Sequence, residues 1–473
     1  MSMATYKEVS TYLQLRRFRR RLKSKKKQKA RRKAKQKALL REKAIRHQGK
    51  LIHNSSEALS YFMTRHFLHL ITAEKSPFCQ DKLENKGIQK RNVIRIPENF
   101  SILSNPEPSY KVLKQLVEAI AYQNCEELSL DYQNCTNCDL ATQVFLDSIL
   151  KSFDKYIRLC KAAGITQFIR IGKVGGEHIH NSSLQKMINS VGSPVELINR
   201  RMQYKDVEPF RLRLVDSRDV TKIRFAGQKE IDATDLIEYV ERCLSRFNKA
   251  LTQDARQALG TVLGETLANA EEHSTLHNRY LIGYLEETSD NQSHYGLLNV
   301  VIMNTGSTIY ERFKYPDEDE KINLECVKQM KILSEKFTNK GLFDFNKFTE
   351  ENLWTLYSLQ GGVSIVPREV RNRGNGTIGF IKSFFSLKGS TEVDNISRMT
   401  ILSGNTRIDF DGTYQISESF GADGRKIERM TFNKSNSLED KPDSKYVYNT
   451  KHYFPGTLIS AQLLINDDDV QKI

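Results

Sequence analysis

The chain has 473 residues, enough for two or three domains, and carries 73 Lys and Arg against 57 Asp and Glu, a formal net charge of +16. Its mean hydropathy is −0.53, and it contains no apolar run of the roughly 18 residues a membrane span needs, so no membrane segment is expected. The N-terminus has no apolar signal core, and the seven cysteines are odd in number and scattered, which fits reduced thiols in a cytoplasmic protein.

The positive charge sits in one place. Residues 16–46 hold 18 Lys and Arg against one acid, Glu42, a surplus of 17, so the rest of the chain sums to about −1. Residues 1–50 are therefore expected to be a basic arm, helical or disordered, that binds nucleic acid by neutralising phosphates. The candidate contacts are Arg16, Arg17, Arg19, Arg20, Arg21, Lys25, Lys26, Lys27, Arg31, Arg32 and Lys33. A solubilising tail is the plainer reading. A membrane surface fits less well, because only Phe18 and a few leucines could insert. Residues 51–92 form a helical linker, with one amphipathic helix predicted over 58–71 and His66 and His69 at the edges of its buried face.

Strands are predicted at 93–97, 126–131 and 167–172, with a helix from Leu140 to Phe153. This alternation over 93–205 argues for a small α/β domain. Cys135 and Cys138 make half a zinc site with no second half in view. The segment from Leu128 through Asp131 and Asp139 into the following helix resembles the core of a STAS domain, the anti-anti-sigma-factor module. The two aspartates fall in register, but Leu140 and Ala141 stand where that family has its phosphorylatable serine, and Thr142 is a poor substitute. The resemblance then implies a docking or dimerisation surface.

A charged connector, 206–230, leads to a helix over 231–248. Next comes the segment from Leu263 to Ser274, in which Glu265, Asn269 and His273 recur every four residues and so share one helical face, while Val262, Leu263, Leu267 and Ala270 supply a buried face. A solvated polar stripe would look the same. An apolar strand then breaks into the turn Asn304, Thr305, Gly306, Ser307, Thr308. Residues 310–372 form an insertion with helical patterns near 324–337 and 345–359. After it, Arg371, Arg373, Gly374, Gly376, Thr377 and Gly379 make a glycine loop running into an apolar helix. Glycine lets a backbone approach phosphate, and a helix N-terminus offers free N–H groups. Strands are predicted at 399–408 and 430–432, a mobile loop at 433–443, and a Gly456-Thr457 element before the last strand.

In that order these elements resemble the GHKL, or Bergerat-fold, ATPases, and the helix motif looks most like the anti-sigma serine-kinase version of the family's N box. The resemblance covers 231–470. It implies an α+β multidomain chain whose C-terminal part is an α/β sandwich binding ATP and Mg²⁺. It further implies Glu265 as general base, Asn269 as Mg²⁺ ligand, and His273 beside the phosphates. Asn304 would stand in for the adenine-reading Asp, with Gly306 next to it in the first glycine box. Arg373, Gly374, Gly376, Thr377 and Gly379 would form the second glycine box, and Thr457 the closing element. Arg371, Arg373 and Lys382 are candidates for neutralising phosphate, and surface salt bridges explain them equally well. Three activities fit: a nucleotide-gated regulatory ATPase, a serine kinase acting on a partner, and a scaffold that has lost catalysis. A protein partner or homodimer is expected with each, and a bacterial regulatory or defence setting follows by analogy.

Overall fold

The computed structural model describes residues 28–29, 31–197, 207–216, 227–276, 278–286, 294–316, 323–338, 348–363, 376–388, 396–420 and 426–473. They form a mixed α/β structure in two compact units, Met1–Met63 with Phe153–Ile169 and Thr64–Ser152 with Arg170–Ile473. No described helix is long and apolar enough to cross a membrane.

The first unit contains helix α1 (31–49) and α2 (Ser55–Phe62). Lys and Arg dominate α1, and Arg31, Arg32 and Lys33 stand exposed on it. Arg16, Arg17, Arg19, Arg20, Arg21, Lys25, Lys26 and Lys27 lie outside the described residues. Asn54 caps α2 by accepting from the Glu57 N–H. The helix predicted over 58–71 is in fact two. Thr64 accepts from the Phe67 N–H and starts a new helix, α3 (Arg65–Thr72), because its side chain satisfies an amide that a continuous helix would bond internally.

The second unit opens with α3 and continues in an α/β segment, of which residues 153–169 belong to the first unit. Its elements are β1 (Gln89–Arg95), β2 (Asn99–Phe100), α4 (Pro106–Tyr122), β3 (Cys125–Asp131), β4 (Asn137–Cys138), α5 (Leu140–Ala163), β5 (Lys173–Glu177) and α6 (Ser182–Val191). The strands β1, β3 and β5 make a parallel sheet in the order β1-β3-β5. The predicted strand 167–172 is not one. Thr166–Phe168 is a 3-10 turn and the strand begins only at Lys173.

The remainder builds on an antiparallel sheet. In chain order it comprises β6 (Arg213–Asp216), α7 (Gln228–Ser245), β7 (Lys249–Leu251), α8 (Gln253–His273), β8 (Asn278–Glu286) and β9 (His294–Thr305). Then come α9 (Ile309–Lys314), α10 (Leu324–Thr338), α11 (Glu350–Ser358), α12 (Gly376–Lys388), β10 (Arg398–Phe410), β11 (Ser417–Phe420), β12 (Lys426–Arg429), β13 (Val447–Asn466) and β14 (Val470–Lys472). The five-stranded sheet runs β10-β13-β9-β8-β6 with every neighbour antiparallel. Its edge strand β6 lies in the stretch read as a connector. Met430–Phe432 is not a strand, since Phe432 adopts φ +54, which breaks an extended ladder. The loop predicted at 433–443 is a set of turns tied by Asn433, whose Nδ2 donates to the carbonyls of Ser437 and Asp440 at 2.8 and 3.1 Å.

Helix α12 packs on α8, and α8 packs on α7, β8 and β9. Leu259, Val262, Leu263 and Leu267 of α8 are buried, as are Ile378, Phe380, Ile381 and Phe384 of α12. Each such side chain contributes about 1.5–3 kcal/mol by leaving water, so the two helices are held side by side by their own apolar faces. The predicted helices of the insertion are present as α10 and α11, with a core of their own. Trp354 is buried and donates Nε1–H to Ser334 Oγ at 3.1 Å, with Lys314 over its ring.

Candidate functional site

Helix α8 starts where the Thr252 side chain accepts from the Ala255 N–H, and it runs 21 residues to His273. Burying one face turns the other outward, leaving Glu265 and Asn269 half-buried one turn apart. The side chain of His273 lies outside the described residues. Two residues before it, Glu271 turns to a different task. It accepts from Arg279 Nε at 2.6 Å, and Arg279 Nη2 lies 2.8 Å from Asp232 Oδ2 on α7, close enough for an ion pair although the angle falls short of a hydrogen bond. Arg279 is 0% exposed. A fully buried guanidinium between two carboxylates fixes α7, α8 and β8 to one another, so Glu271 is structural.

The turn after β9 meets β13 at the end of α8. Cross-strand partners place Thr457 opposite Asn304 and Gly456 opposite Thr305. Asn304 is 2% exposed and its amide is engaged at both ends: Nδ2 donates to the Ala270 carbonyl on α8 at 2.9 Å, and Oδ1 accepts from the Thr457 N–H at 3.0 Å. One side chain thus joins the helix, the strand end and the Gly-Thr element, which leaves the second lone pair of Oδ1 for any further donor. Gly456 has φ +148, and a Cβ there would lie 2.2 Å from the Asn304 carbonyl oxygen. Only glycine lets the two strands approach this closely. Thr308 caps α9 in a capping box with Glu311, each side chain meeting the other residue's N–H at 3.1 Å.

Gly376 and Thr377 are the first residues of α12, with side chains outside the described residues, where Arg371, Arg373 and Gly374 also lie. A Cβ added at Gly264 on α8 or at Gly379 on α12 meets no atom of the described residues within 4 Å. Lys382 is exposed and pairs with Glu428 at 2.7 Å, as part of a surface ion cluster. A magnesium ion was expected on Asn269. Among the described residues no group of three His, Cys, Asp or Glu is placed to hold a metal.

One participant was not foreseen. His66, read as a face edge, is 3% exposed, with Nδ1 2.9 Å from Thr305 Oγ1 and Nε2 3.0 Å from Ser148 Oγ on α5. Thr305 Oγ1 also accepts from Asn278 Nδ2 at 2.8 Å. These partners lie 239 and 82 residues away in sequence, beyond any local pattern. Burial lowers the His66 pKa from 6.5 to about 3, so the ring is neutral. Between those values the unfolded chain holds a proton that the folded chain does not, so this group's contribution to stability rises with pH across the window, by at most about 1.4 kcal/mol per pH unit. Buried Asp147 on α5, raised from 3.8 to about 7 by desolvation, has the opposite sign, because there the folded form holds the extra proton. His66→Gln should therefore lose stability with a deficit, relative to wild type, that grows from pH 4 to pH 6.5 in urea titrations. Parallel pH profiles for the two proteins would show that His66 titrates normally.

Comparisons with protein-family models, curated proteins and solved structures give no match for this chain.

Proposed function

We propose that residues 231–470 form a GHKL-type nucleotide-binding module and that the chain is a regulatory, slowly hydrolysing ATPase. One observation carries this reading. The Asn304 amide joins α8, the turn after β9 and the Gly456-Thr457 element at one place, beside which α12 packs on α8. In this reading the α12 N-terminus and the preceding glycine loop face the triphosphate, supplying backbone N–H groups and helix dipole. Asn269 offers its amide oxygen to the phosphate-bound Mg²⁺. Glu265, one turn earlier on the same face, accepts a proton from the attacking water or hydroxyl. The adenine end is met by Thr457 and the free lone pair of Asn304. The preceding α/β segment is then a STAS-like docking domain without a phosphoacceptor serine.

The test separates catalysis from binding. Glu265→Ala should keep Mg·ATP affinity within about threefold while phosphate release falls at least about a hundredfold, the usual range for a lost general base. Release that is undetectable in wild type, with binding intact, would favour the scaffold. Transfer of label from ATP to a serine-bearing partner protein would favour the kinase.

The arm is proposed to bind nucleic acid non-specifically, as the exposed Arg31, Arg32 and Lys33 on α1 suggest. Fluorescence anisotropy with a duplex DNA should give a log–log salt slope of about −0.9 per phosphate contacted. Replacing those three residues by Gln should flatten that slope by up to about 2.7. Binding that ignores salt would remove the proposal.

A further inference from the structure

A second site lies within the large unit, away from the Asn304 cluster. A cavity of about 350 Å³ separates the α/β segment from the outward face of the five-stranded sheet. On one side it is closed by the chain leaving the carboxyl ends of β3 and β5, including Asn137 of β4 and Asn181, and by the first turn of α6 at Ser183. Crevices at the carboxyl ends of parallel strands are where open α/β sheets bind ligands. On the other side it is closed by β9, β10 and β13.

The sheet wall is unusual for a covered face. A sheet packed against another layer normally presents apolar side chains. Here Asn299, Thr400, Ser460 and Gln462 face the cavity, along with two arginines of β10. Arg407 is restrained, bonding Asp409 Oδ1 at 3.0 Å and the Leu103 carbonyl. The Arg398 side chain makes no ion pair or hydrogen bond among the described residues, while its backbone belongs to the β10–β13 ladder. The acids at the cavity do not neutralise it. Asp139 spends Oδ1 on the Thr142 N–H at 2.6 Å as the cap of α5, and its Oδ2 is shielded from solvent. Glu286 lies on β8 and, among the described residues, forms no ion pair with either arginine.

We propose that this cavity binds a small phosphate ester carrying several hydroxyl groups, a sugar phosphate or the sugar-phosphate part of a nucleotide. Arg398 pairs with the phosphate, and the amide and hydroxyl side chains on both walls take the hydroxyls. A volume near 350 Å³ holds a ligand of that size. The site does not depend on the nucleotide reading given above.

Isothermal titration of the full chain with ribose 5-phosphate, in EDTA so that no Mg·nucleotide complex contributes, tests it. Saturable binding is expected in wild type and, undiminished, in Asn269→Ala. Arg398→Glu, a surface change that folding should tolerate, should weaken it about tenfold or more, as loss of a charge-assisted pair does. Ribose and inorganic phosphate should each bind more weakly than the ester. Absence of wild-type binding, equal affinity in Arg398→Glu, or loss in Asn269→Ala would overturn the proposal. The last outcome would place the phosphate at the α8–α12 site instead.

Discussion

Arg279→Met should cost about 3–5 kcal/mol of stability, the range for removing one partner of a buried charge cluster. Asp232 is 1% exposed and the side chain of Glu271 11% exposed, so both carboxylates would be left in a low-dielectric interior without a counter-ion. Methionine keeps most of the arginine's apolar length, so lost packing contributes little. The mechanism predicts its own rescue. Arg279→Met combined with Asp232→Asn and Glu271→Gln removes the uncompensated charges and should recover more than half the loss in urea unfolding. If the triple variant is no better than the single one, the charge account is wrong and shape alone holds α7, α8 and β8 together. Because Glu271 lies two residues from His273 on α8, the single variant should also weaken nucleotide binding through the position of that helix end.

Gly456→Val is the second large effect. The added Cβ would sit 2.2 Å from a backbone carbonyl and 2.8 Å from the Thr305 Cα, neither of which can rotate away, at a φ of +148. A shift of β13 away from β9 is the only relief, and it would break the Asn304–Thr457 bond. A loss of about 4 kcal/mol or more is expected, at the far end of the single-mutant range. Gly306→Ala makes the contrast. Its Cβ would meet Thr275 Oγ1 at 2.7 Å, a side-chain atom that can turn aside, so about 1–3 kcal/mol is expected there. Thermal unfolding of both variants checks the ranking. Equal Tm values would mean that β13 and β9 are not locked at Asn304.

The parts of this architecture that were legible in the chain are those that depend on neighbours in sequence. The apolar stripe through Val262, Leu263, Leu267 and Ala270 announces α8, and the helical patterns of the insertion announce α10 and α11. What escaped depends on distant partners. β6 hides in a charged stretch because Leu214 and Val215 gain strand character only by pairing with β8. β5 contains two glycines and no alternation, and it is a strand because β3 lends it a parallel ladder. The break at Thr64 was written in a capping residue but masked by apolar positions on both sides of it. At the candidate site the same division holds. Glu265 and Asn269 are found by spacing alone, whereas the double use of the Asn304 amide and the buried position of His66 require partners that folding brings from far away.

A Mg-bound triphosphate is proposed to be held between the polar face of α8 and the start of α12. Calorimetric titration of the full chain with Mg·ATP and with its non-hydrolysable analogue measures this directly. Saturable binding at one site is expected, with at least about a tenfold loss in Asn269→Ala and no detectable binding in Gly376→Arg, whose side chain would occupy the α12 N-terminus. A wild-type chain with no affinity for Mg·ATP, or one whose affinity is untouched by both substitutions, would contradict the account.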